Sequence, residues 1–100
     1  MNSKEFKRRI AEASNILLLD IRETEELTEV ETITGSIHMP MGKVFTEAMK
    51  GNLPKDKQIV VFCRTGGRAE IVERELRKRG YTVDGLEGGL LELQSKIQEK

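Results

Sequence analysis

Residues 60–80 read VVFCRTGGRAEIVERELRKRG, from Val60 to Gly80. The stretch opens on β-formers and closes on a helical pattern. Gln58 to Cys63 predicts a strand. Ala69, Val72, Leu76 and Arg79 fall on one side of a helix over 69–79, and Gly80 stands at its C′ stop. The only cysteine of the chain, Cys63, sits between the two with Arg64, Thr65, Gly66, Gly67 and Arg68. A strand that runs through a short loop into a helix is the repeating unit of an α/β domain.

The same alternation extends outward in both directions. Ser3 is a candidate N-cap, and Phe6, Ile10 and Ala13 follow at helical spacing, which predicts a helix over 4–13. Ile16-Leu17-Leu18-Leu19 is a continuous apolar run closed by Asp20, as expected of a strand covered on both faces. The acidic stretch 23–34 is expected to hold a helical turn near Glu25–Glu29. Gly35 to Pro40 predicts a short strand entered by a glycine turn and stopped by proline. Residues 43–50 predict a helix packing Val44, Phe45 and Met49, with turn chemistry at Gly51-Asn52 and Pro54 to Asp56. Tyr81-Thr82-Val83 reads as a further strand. Gly88-Gly89 leads into a last helix with Leu90, Leu93 and Ile97 on one face. The expected fold is α/β, a mostly parallel sheet of about four to five strands flanked by helices on both faces. Ligands of such sheets bind beyond the carboxyl ends of the strands, which is where Cys63 falls.

Length and composition bound the function. One hundred residues imply a single domain over 1–100. Lys plus Arg (17) equals Asp plus Glu (17), so the basic excess of a general nucleic-acid binder is missing. Glu23, Glu25, Glu26, Glu29 and Glu31 form an acidic stretch, and Arg74, Arg77, Lys78 and Arg79 a basic one; both read as solvated surface. One cysteine excludes an internal disulfide and fits a reducing compartment. The charged N-terminus lacks a signal-peptide core, and no apolar run approaches the ~20 residues of a membrane span. A cytoplasmic protein with neither a membrane nor a nucleic-acid partner is expected. One histidine and one cysteine give a dedicated metal site little to build from, so no metal and no cofactor are expected.

The chemistry is expected at the loop. A free cysteine titrates near about 8.5. A following helix N-terminus, Arg64 and Arg68 would favour the thiolate, and Gly66-Gly67 would let successive N–H groups converge on one point. Thr65 can add a hydroxyl donor. The expected result is a cup of donors that holds an anion above a nucleophilic sulfur. The plain alternative is an inert thiol at the end of a buried strand.

These residues resemble the rhodanese family, the thiosulfate sulfurtransferases, in its small form. Cys63 to Arg68 is similar to that family's Cys-Arg-x-Gly-x-Arg active loop. Asp20-Ile21-Arg22 with Glu25-Glu26, Gly35 to Pro40, and Leu86-Glu87-Gly88-Gly89 resemble three further segments in the family's order. Glu31 to Thr34 replaces a common Gly-His-Ile, and Leu93 stands where tryptophan is common. The resemblance implies a rhodanese-like fold and a two-step sulfur transfer. Cys63 would take a sulfane sulfur from a small anionic donor such as thiosulfate, or from a persulfide, and pass it to a thiol or to cyanide. Arg64 would attract the donor, the loop amides from Arg64 to Arg68 would cradle the sulfur, and Arg68 would also brace the loop. With no second cysteine in the chain, the acceptor thiol is external, a small thiol or a thioredoxin-like protein.

Two other classes are weighed on the same residues. A phosphatase or arsenate reductase activity is disfavoured, because protein tyrosine phosphatases and their relatives place one more residue between cysteine and arginine, and the phosphatases tend to carry Ser or Thr next, where this chain has Ala69. Non-catalytic rhodanese-like binding modules often lose the cysteine that this chain keeps. Asp20 and Arg22, at a strand's carboxyl end, are expected to support the loop as an ion pair or brace. His38 is expected to be a satisfied or surface residue, and Met39, Met41 and Met49 to be core filler.

Overall fold

The computed structural model describes residues 1–12 and 15–98, with side chains as far as residue 95. Helix α1 (Ser3–Glu12) precedes strand β1 (Ile16–Asp20). A 3-10 turn (Thr24–Thr28) and the short β2 (Ile37–His38) follow. Then come α2 (Met41–Met49), β3 (Gln58–Phe62), α3 (Gly67–Lys78), β4 (Thr82–Gly85) and α4 (Gly89–Gln98). The four strands make one sheet in the order β2-β1-β3-β4, and every neighbouring pair is parallel. β1 and β3 pair from Ile16–Gln58 to Asp20–Phe62. The α/β fold with helices on both faces is therefore as expected, at the lower strand count.

The continuous apolar runs follow from burial on both faces. Leu19, Ile59 and Val61 turn towards Val44 and Ala48 of α2 and Ala69, Val72 and Leu76 of α3. Leu18, Val60 and Phe62 turn the other way, towards Phe6 of α1 and Leu90 and Leu93 of α4. Phe6 meets Phe62 edge to face, with ring centroids 6.2 Å apart. Helix α3 stops as expected. Gly80, at φ +90°, lets its own N–H reach Arg77 O and the Tyr81 N–H reach Leu76 O, which satisfies two carbonyls of the last turn.

Some local expectations are corrected. Asn2 caps α1, accepting the Glu5 N–H at 2.8 Å. Ser3 is already helical and buried, and its Oγ has no partner. Ala13 lies outside the described residues, as does the side chain of Ile97. Helix α2 begins at Met41, directly behind Pro40, and buries Val44 and Ala48. Met49 is 70% exposed, because the helix turns it away from the sheet. Met39 and Met41 do pack against the core. Strand β4 runs on to Gly85 and starts after Tyr81, whose ring is buried instead.

Candidate active site

Cys63 is the first residue past β3, at the carboxyl end of a central strand. Its side chain is 1% exposed. The Gly66 N–H donates to Cys63 Sγ at 3.1 Å, so the loop folds back over the sulfur with that amide turned inward. The open cup of the expectation is a covered one. Among the described residues, one amide of the loop, that of Gly66, bonds the sulfur.

Backbone geometry explains why two glycines follow. Gly66 sits at φ +101°, and a Cβ there would lie 2.9 Å from Gly88 N. Only glycine combines that dihedral with that approach. Gly67 needs neither, having ordinary φ and nothing within 4 Å of a Cβ; it opens α3. The start of α4 is pressed against the loop from behind. Leu90 N–H donates to Cys63 O at 3.0 Å and Leu91 N–H to Arg64 O at 3.1 Å. A Cβ on Gly89 would come within 2.4 Å of Arg64 O, which is why the second glycine of Gly88-Gly89 is needed. With its carbonyls held by the α4 N-terminus, the loop has little freedom to turn them towards the sulfur.

The two arginines of the loop are both engaged. Arg68 makes a two-pronged contact with Glu26, Nη1 to Oε2 at 2.6 Å and Nη2 to Oε1 at 2.7 Å. This pair holds the Glu26 carboxyl down at about 2 and raises Arg68 above the ordinary guanidinium range. Arg64 Nε stands 3.5 Å from Glu29 Oε1, with both side chains about half exposed. The acidic stretch is thus only in part solvated surface. Its 3-10 turn is oriented to hand Glu26 and Glu29 to the loop, and the Glu23 N–H bonds Glu26 Oε2 at 2.9 Å.

Asp20 and Arg22 lie beneath this turn and are fully buried. Arg22 donates to Asp20 through Nε and Nη2, and through Nη1 to the carbonyls of Glu26 (3.1 Å) and Val30 (2.8 Å). Burial works to raise the Asp20 carboxyl. The bonds from Arg22 and from Thr32 Oγ1 outweigh it and hold that carboxyl below its ordinary value. The pair braces the segment that presents Glu26. His38 is satisfied, with Nε2 2.7 Å from Arg22 O.

A cleft of about 730 Å³ opens beside the loop, walled by Thr65, Gly66 and Gly67 and by Glu70, Glu73 and Glu87. Glu73 is held by the Gly85 N–H and Arg77, and Glu87 faces the terminal ammonium of Met1. Glu70, in the first turn of α3, has no partner among the described residues. The basic stretch on α3 is surface: Arg74 and Lys78 pair with Glu75, and Arg77 with Asp84.

The Rhodanese-like domain family matches residues 2–96. The chain belongs to that family. A tRNA sulfurtransferase of Desulfurococcus amylolyticus is 32% identical over 83 residues, which cover 83% of this chain and 16% of that protein. The chain thus spans about a sixth of that relative's length. A putative sulfurtransferase of Bacillus subtilis, YtwF, is 33% identical over 95 residues, 95% of this chain and 89% of its own. Among solved structures, a rhodanese-related protein from Thermoplasma volcanium superposes with a TM-score of 0.80 at 25% identity, covering 96% of this chain and 90% of that one. These likenesses support a sulfur-transfer function.

Sequence inspection of this rhodanese-like chain missed the pairings of Glu26 and Glu29. In the sequence Glu26 stands out only as part of a segment, and nothing in the spacing of residues 26 and 68 signals a contact between them. Nor does any local pattern mark Glu70 and Glu87 as walls of one cleft. Among the described residues, no cluster of three or more potential metal ligands is present, and no helix is long and apolar enough to cross a membrane.

Proposed function

We propose that Cys63 carries a sulfane sulfur between a donor and an external thiol. The observation that supports this most directly is the Gly66 N–H on Cys63 Sγ at 3.1 Å, in a loop whose carbonyls are held away by α4. An inward-facing amide stabilises negative charge on the sulfur before and after transfer. In the first step the Cys63 thiolate attacks the outer sulfur of the donor. With thiosulfate the S–S bond breaks and sulfite leaves; with a persulfide R–S–SH, the thiol R–SH leaves with the proton. Either way Cys63 becomes a persulfide anion. In the second step an acceptor thiol, or cyanide, takes that outer sulfur and the Cys63 thiolate returns. No oxidant and no cofactor enters this balance.

Arg68, braced by Glu26, keeps the loop in shape, and Arg64 stands at its rim. The acceptor is a small thiol or a thioredoxin-like protein, and the reducing cytoplasm is the proposed setting. The test is the intact mass of the protein after exposure to thiosulfate or a persulfide. One added sulfur, removed by a reductant and missing from Cys63→Ser, is expected. An unchanged mass with every donor would mean a binding module without chemistry.

A further inference from the structure

Two groups compete for Arg68, the carboxylate of Glu26 and the sulfur of Cys63. Arg68 follows Cys63 by five residues in the same loop. Its guanidinium is raised first by the bonds to Glu26 and then by nearby negative charge, that of Cys63 included. The cation therefore stands within electrostatic reach of the sulfur. Yet among the described residues no arginine donates to Cys63 Sγ, whose partner is the Gly66 N–H at 3.1 Å. Both terminal nitrogens of Arg68 go to Glu26 instead, at 2.6 and 2.7 Å.

What anchors Glu26 decides which half of this fork holds the other. Its Oε2 also accepts the Glu23 N–H at 2.9 Å, and its carbonyl accepts Arg22 Nη1 at 3.1 Å. Arg22 in turn is fully buried on Asp20. Glu26 is thus fixed from its own segment, by bonds that do not involve the loop. The described bonds of the Arg68 side chain all run to Glu26. Glu26 is the fixed half, and Arg68 is the half drawn aside. Glu29 exerts no such hold on Arg64, since their contact is single, 3.5 Å long and between half-exposed side chains.

We propose that Glu26 is a positioning residue for sulfur transfer, which acts by holding the Arg68 guanidinium off Cys63 Sγ. The proposal rests on the sulfur-transfer function above and adds a restraint to it. A guanidinium donating to the thiolate would tie up the lone pair that has to attack, and would stand where the incoming sulfur must stand. Held by Glu26, Arg68 lends positive charge at a distance, while the Gly66 amide bonds the sulfur. The bonds made and broken in the transfer are unchanged.

Glu26→Gln keeps the size of the side chain and removes its charge, so Arg68 is released and moves onto the sulfur. Two rates read this out: alkylation of Cys63 by iodoacetamide, an uncharged electrophile, and sulfur loading from the persulfide of 2-mercaptoethanol. At about pH 10, above the ordinary thiol range, alkylation reports the thiolate itself. Both rates are expected to fall about fivefold in Glu26→Gln, the scale of one partly exposed ion pair. When Glu26→Gln is combined with Arg68→Gln, no cation is left to move, and both rates are expected to return to within about twofold of wild type. A loop that is merely loosened cannot be mended by taking Arg68 away as well. A double variant as slow as Glu26→Gln would therefore make the pair a plain brace and overturn the proposal. So would a Glu26→Gln protein that reacts as fast as wild type. Alkylation needs no sulfur donor. A wild type that is alkylated but loads no sulfur would overturn the transfer function, while the alkylation rates would still decide the restraint on Arg68.

Discussion

Gly66 and Gly67 are neighbours with the same side chain and opposite requirements. Gly66 is held at φ +101° with Gly88 N 2.9 Å from where a Cβ would stand. Gly66→Ala is therefore expected to lose ~1–3 kcal/mol of stability in urea unfolding, and to lose sulfur loading as its amide shifts off Cys63. Gly67 has ordinary φ and open space, at the first residue of α3. Gly67→Ala is expected to leave stability unchanged or raise it by up to about 1 kcal/mol, since it restricts only the unfolded chain. Equal losses in the two variants would mean that the loop is not shaped as described. The glycine pair is visible in the sequence, but which member is indispensable is not. That depends on Gly88, which lies more than twenty residues along the chain and is brought here by β4.

At the scale of elements, the acidic 3-10 turn and the loop are clamped by Glu26 and Arg68. The Glu26 carboxyl, held at about 2 against an ordinary 4.5, has a folded value below its unfolded one. Its contribution is then complete above about pH 4.5 and is lost as pH falls from there towards about 2. Because the pair is still reached by solvent, with side chains 28% and 20% exposed, the contribution is put at ~1–2 kcal/mol. Glu26→Gln should be less stable than wild type by that amount near about pH 7, with the gap narrowing below about pH 4.5 and closing only as pH falls through about 2. A gap that is constant with pH would contradict the ionic clamp. Beneath it, Arg22 has no exposed surface and holds Asp20 and two carbonyls of the turn segment. Arg22→Ala leaves a buried carboxylate unpaired, and a loss of ~3–5 kcal/mol in the unfolding midpoint analysis is expected. Arg22 is the hidden half of the clamp, since the carbonyl of Glu26 is one of its acceptors.

Across the whole molecule, the site is made by two layers meeting at one strand end. β3 brings Cys63 out of the sheet, α3 carries Arg68, and α4 presses Leu90 and Leu91 amides onto the loop carbonyls. Leu90 is 1% exposed and packs with Val60 and Phe62 on the face opposite α3. Leu90→Ala is expected to cost about 2–5 kcal/mol by the cavity it leaves. It should also speed hydrogen exchange of the Leu90 and Leu91 amides that hold the loop; exchange unchanged at both would separate packing from loop support. Much of this was open to inspection beforehand. The apolar runs at 16–19 and 58–62, the helical stripe of Ala69, Val72 and Leu76, and the loop between them all express local rules of period and turn chemistry. Those rules act over a few residues, so one chain suffices to state them, and the α/β alternation and the place of Cys63 follow. The pairing of Glu26 with Arg68, that of Glu29 with Arg64, and the contact of Gly66 with Gly88 join residues that no local period relates. Such contacts exist only because parallel pairing of β1, β3 and β4 brings their carboxyl ends to one edge. The sequence by itself determined the fold class and the candidate nucleophile. The tertiary structure decided which carboxylates stand against Arg64 and Arg68, because only folding carries Glu29 and Glu26 across some forty residues of chain to the loop.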